Sequence, residues 1–103
     1  VADETSSATY FNGDDARALI YITATDTTII DVVGVELIDP GSGWEVAGVA
    51  NATANHTRVR KTNVTAGTDD WPASAGTDPA SSQWMVWEQQ DNTGTSLPAD
   101  GLN

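Results

Sequence analysis

A chain of 103 residues holds one small domain, and domains of this size bury a smaller fraction of their surface than large ones do. Fifteen acidic side chains face four basic ones, and the resulting net charge of −11 repels nucleic-acid backbones and anionic lipid surfaces, which argues against nucleic-acid binding by this module alone. Cysteine is absent, so neither a disulfide nor a thiolate metal site is available, and no apolar run approaches the roughly 18 residues of a membrane span.

The excess of aspartate over glutamate and the single lysine fit a saline or calcium-rich setting, where cations screen exposed carboxylates. They fit equally an acidic surface kept for solubility. No signal peptide is recognisable, so an exported protein would be represented here by its mature or excised part. The large apolar residues are mostly valine, isoleucine and tryptophan, a mix that favours strands. Nine glycines and four prolines interrupt the chain at short intervals and leave little room for a long helix.

In chain order, residues 1–9 are polar and acidic and read as an extended arm or edge strand, with Thr5 to Phe11 a further extended stretch. Asn12-Gly13 is a turn signal, because both residues tolerate positive φ. Asp14 and Asp15 follow it on an exposed turn. They are candidate calcium ligands beside backbone carbonyls, although the spaced carboxylates of a dedicated calcium loop are missing.

Arg17–Thr25 (RALIYITAT) and Thr28–Val35 (TIIDVVGV) are β-branched or aromatic runs joined around Asp26, the pattern of an antiparallel hairpin. Ala18, Ile20 and Ile22 share one face, Leu19 and Tyr21 the other. Neither face is plainly polar, so the pair is expected inside a sheet at least partly covered on both sides, with Asp31 near a sheet end or satisfied by a neighbour.

The segment Asp39–Lys61 carries the densest chemistry: a Gly-flanked Trp44, two glycosylation-type sequons, the only histidine and three of the four basic residues. Trp44 reads as a stacking platform for a sugar or as a plug in the core, and the area a buried tryptophan contributes favours the plug. Asn51, Asn55 and Asn63 head the three sequons of the chain and are candidate glycosylation sites. His56–Thr62 (HTRVRKT) is a third strand. It sets His56, Arg58 and Arg60 on one face and Lys61 on the other.

Arg58, Arg60 and Lys61 form a basic cluster whose ordinary use in an acidic molecule is internal pairing, with Asp31, Glu45 or Asp69 as partners. An anionic polymer is the alternative ligand. A lone His56 is a poor metal ligand, and no Gly-x-Ser-x-Gly elbow accompanies it. Ala66–Ser82 reads as a loop anchored by Trp71, and Gln83–Trp87 as a fourth strand. Trp44, Trp71 and Trp84 are expected to be largely buried, and residues 89–103 to form a polar tail.

The ordered blocks Phe11–Ala16, Ile30–Gly34, Asp39–Gly41, Gly43-Trp44, His56–Lys61 and Val64–Gly67, continued by Asp70-Trp71, Ser74–Thr77 and Gln83-Trp84, resemble lamin-tail-type domains of secreted bacterial proteins. The resemblance covers residues 10–88. It implies an immunoglobulin-like β-sandwich, a fold of about seven strands, of the kind attached to extracellular nucleases or other surface enzymes. The strands that open such domains are missing before Tyr10, and the usual closing segment is replaced by Thr95–Gly101.

The expected molecule is therefore an all-β, immunoglobulin-like sandwich lacking some N-terminal strands. No paired nucleophile and base, metal cluster or phosphate loop can be drawn from its residues, so a non-enzymatic reading follows. The expected role is an extracellular structural or interaction module, completed by a strand from a copy of itself or from another domain and able to build a surface fibre. The alternatives are an accessory domain of a secreted enzyme and a carbohydrate- or calcium-binding module.

Overall fold

The computed structural model describes residue 7 and residues 10–88. Its elements are β1 (Arg17–Ile22), β2 (Thr27–Val33), β3 (His56–Arg60), α1 (Trp71–Ala75) and β4 (Trp84–Glu88). β1 and β2 form one antiparallel two-stranded sheet, β3 and β4 a second. The fold is thus small and all-β in class, with one short helix. Tyr10 and Phe11 lie outside the strands, and the rest of the extended stretch expected before them falls largely outside the described residues.

β-branched residues favour the extended backbone in β1 and β2, and the turn between them is closed by side chains. The Thr23 hydroxyl accepts from the Asp26 amide, the Asp26 carboxylate accepts from the Thr27 amide, and the Thr23 amide donates to the Asp26 carbonyl at 2.8 Å. The register runs Arg17 opposite Val33 to Leu19 opposite Asp31. It then slips, and Ile20 opposes Ile29. Ile30 is the extra residue of a β-bulge.

The core lies at one end of this hairpin. Trp44, Val46, Ala47, Ala52, Trp71 and Ala75 are buried, with Val32, Val33, Val35, Val49, Trp84 and Val86 packed around them. The Trp44 and Trp71 rings meet edge to face at 6.4 Å and 77°, the geometry their quadrupoles favour. Gly34 makes this possible: it has φ of +85°, and a Cβ there would stand 2.6 Å from the Trp44 indole nitrogen. Trp44 and Trp71 are therefore packing residues. Trp84 is less buried than these two and packs against the outside of the core.

Two features depart from the sequence expectation. The stretch taken as loop contains α1, whose N-terminus is capped by Asp70 accepting from the Ala73 amide at 3.0 Å and whose first turn holds Pro72. The second departure is larger. The hairpin expected to be at least partly covered on both faces is largely open away from its root: Leu19, Ile20, Tyr21, Ile22, Ile29 and Ile30 are between 41% and 66% exposed. The tryptophan loop and α1 reach only its Val32–Val35 end.

Candidate functional site

Arg60 and Lys61 of the basic cluster are engaged by different partners. Arg60 donates to both carboxylate oxygens of Asp31, at 2.5 and 3.1 Å, and to the Ser74 hydroxyl at 3.0 Å. Its guanidinium stacks on the Trp84 ring at 4.3 Å, and the Trp84 indole donates to the same Ser74 hydroxyl at 2.9 Å. This network ties the root of the hairpin to β3, α1 and β4. Burial alone would raise the Asp31 pKa, but the Arg60 donors, the Arg60 charge and the Thr68 amide outweigh it and hold the carboxyl below its ordinary value.

Lys61 instead donates to the Pro79 carbonyl. Arg58 is half-buried, and its Nη1 has no acceptor among the described residues. Burial lowers its pKa from the ordinary arginine value. Of the pairings considered from sequence, Arg60 with Asp31 is the one formed. His56 is half-buried, with Nδ1 2.6 Å from the Ala54 carbonyl.

Asp14 is half-buried and Asp15 exposed, and Asp15 pairs with Arg17 at 3.2 Å. Asp14, Asp15 and Asp39 border one shallow cleft together with Val35, Leu37 and Ile38. Among the described residues no group of three or more metal-ligating side chains converges there or elsewhere.

Asn51, Asn55 and Asn63 are all exposed. Asn51 and Asn55 have φ of +55° and +56°, a left-handed conformation that asparagine tolerates better than most residues. In the first sequon Thr53 is buried: its hydroxyl donates to the Gly13 carbonyl at 2.5 Å and accepts from the Trp44 amide at 2.7 Å. Thr53 thus fastens the Asn12-Gly13 turn to the tryptophan loop. The sequon reading hid this role; a small hydroxyl residue beside Ala52 is its only sequence trace.

Six of the nine exposed large hydrophobic residues among the described residues lie on the hairpin. Counting from the pair Leu19–Asp31, alternation puts Ile30 on the face opposite Leu19. The pair Ile20–Ile29 puts those two on the same face, with Ile22 beyond them. One face therefore presents Ile20, Ile22, Ile29 and Ile30, and the other Leu19 and Tyr21. The isoleucine face runs down into a groove of about 440 Å³ lined by Ile29, Val32, Val35, Trp71 and Pro72 and rimmed by Glu36, Asp69 and Asp70.

Only the root of the hairpin is tied down. Gly67 packs against the Ile30 carbonyl, and the Thr68 amide donates to Asp31, so the loop after β3 lies along part of the outer edge of β2. Among the described residues β1 pairs with β2 alone. Among the described residues no helix is long and apolar enough to cross a membrane. No family model, no curated protein and no solved structure matches this chain.

Proposed function

We propose that the chain is a non-catalytic extracellular structural or interaction module whose work is to join β structure to β structure. The observation that carries this reading is the β1–β2 hairpin, apolar on both faces and open along one edge while the core sits at its root. A two-stranded hairpin is at best marginal alone, and strand edges and large apolar patches mark association surfaces. The buried Ser74 hydroxyl is engaged structurally, bridging Arg60 and Trp84, and His56 Nδ1 contacts the Ala54 carbonyl.

The finer fold belongs to the same proposal: an immunoglobulin-like sandwich of lamin-tail type whose remaining strands come from a copy of the chain or from another domain. Export and glycosylation at Asn51, Asn55 and Asn63 complete it. Light scattering and electron microscopy on the purified chain test the association, alongside nuclease and esterase assays with added calcium, magnesium or zinc. Complexes without turnover are expected. Turnover abolished by His56→Ala would overturn the non-catalytic reading.

A further inference from the structure

Resting on the interaction reading, we infer that the isoleucine face of the β1–β2 hairpin is a docking surface for the same face of a second copy. The partner is identified first by charge. Residues 18–30 carry a single ionisable charge at neutral pH, Asp26 in the turn, within a chain of net charge −11. Two like-charged copies meet least repulsion there, and the rest of the surface keeps them apart.

Composition points the same way. The flanking segments 1–9 and 89–103 contain only Val1, Leu97 and Leu102 as large apolar residues. Neither matches four exposed isoleucines. The hairpin of a second copy does so by construction, and a two-fold axis lets each copy give and receive the same patch. β1 and β2 supply 6 and 7 residues. About half of these point to the other face, so even with the Trp71–Pro72 wall of the groove the contact is smaller than the roughly 20–30 residues a side of a standard interface, and the dimer expected is a weak, concentration-dependent one.

The geometry is that of one sheet laid on another, about 10 Å apart, with isoleucines interdigitating. Glu36, Asp69 and Asp70 fall at the rim, where each copy brings the same carboxylates. Their repulsion is screened by salt, so this contact tightens as ionic strength rises, opposite to an attractive ion-pair interface.

The test is sedimentation velocity on the full chain over a concentration series at low and high sodium chloride. Ile22→Lys, Ile22→Thr and Ile29→Lys on the face are compared with Leu37→Lys away from it, and with versions lacking residues 1–9 or 89–103. Ile22 is 66% exposed, so a substitution there removes little packing within the chain; circular dichroism checks the fold, and the threonine variant preserves strand propensity. A dimer is expected, strengthened by salt, weakened roughly tenfold or more by either lysine on the face, the equivalent of one lost apolar contact, and unchanged by Leu37→Lys.

A dimer or fibre indifferent to Ile22→Lys and Ile29→Lys but lost with either arm overturns this inference and leaves the interaction reading intact, with the arm as occupant. A chain that stays monomeric throughout overturns the inference. If it also binds no other domain of its parent protein, the interaction reading falls with it.

Discussion

Replacing Asp31 with alanine strikes the point where the hairpin is fastened to the rest of the molecule. The change removes the acceptor of two Arg60 N–H groups and of the Thr68 amide, and leaves a guanidinium held by Ser74 and Trp84 alone. Breaking a fully buried pair costs about 3–5 kcal/mol and an exposed one about 0–1. The two side chains are 20% and 28% exposed, so the expected loss is about 2–3 kcal/mol. At ~4–8 °C per kcal/mol for a domain of this size, Tm falls by roughly 10–20 °C.

Urea unfolding followed by tryptophan fluorescence reads the loss, and a cycle with Arg60→Met and the double variant isolates a coupling of about 1–3 kcal/mol. The pH dependence has a definite sign. Because the folded-state pKa of Asp31 is lowered, its contribution is fully present above the unfolded carboxylate value of ~3.9 and is lost as pH falls through the lower folded value. The difference between wild type and Asp31→Ala is therefore flat around neutrality and shrinks only in acid. A loss below about 0.5 kcal/mol, or a coupling near zero, refutes the assignment of Asp31 as the tie.

Thr53→Val orphans the Gly13 carbonyl and the Trp44 amide and costs about 2–4 kcal/mol, read by the same urea titration. Arg58→Met removes a half-buried guanidinium whose Nη1 lacks an acceptor among the described residues; stability is expected to stay level or rise by up to about 1 kcal/mol, and a clear loss would reveal a partner for Arg58. Leu37 is 98% exposed with φ of +64°. Leu37→Gly relieves the left-handed backbone at little packing cost and raises stability by about 0.5–1 kcal/mol, a small increase in Tm by calorimetry.

The strands were legible from sequence because runs such as Ala18–Ile22 and Thr28–Val33 leave a β-branched chain few other conformations, and Asp26 marks the turn. Trp44 and Trp71 were legible as packing residues because so large a side chain usually contributes by burial. The fate of the hairpin was not. Apolar residues on both faces read the same whether a sheet covers them or a partner does, and only the position of the core tells these apart. The helix at Trp71–Ala75 was not legible: Asp70 and Pro72 serve as its cap and first-turn proline, but both are also loop residues, and five residues give no periodicity to read. The different partners of Arg60 and Lys61 depend on contacts with Asp31, Ser74 and Pro79, distant in sequence and set by the fold.

The central claim, that the hairpin is a joining surface, is tested most directly by amide hydrogen exchange of the intact chain at low and high protein concentration. The account expects protection to rise with concentration across residues 17–33 and at Trp71 on the groove wall, while the β3–β4 sheet keeps its low-concentration values. Unchanged protection in residues 17–33 at every concentration, or a concentration-dependent gain confined to other segments, would contradict it.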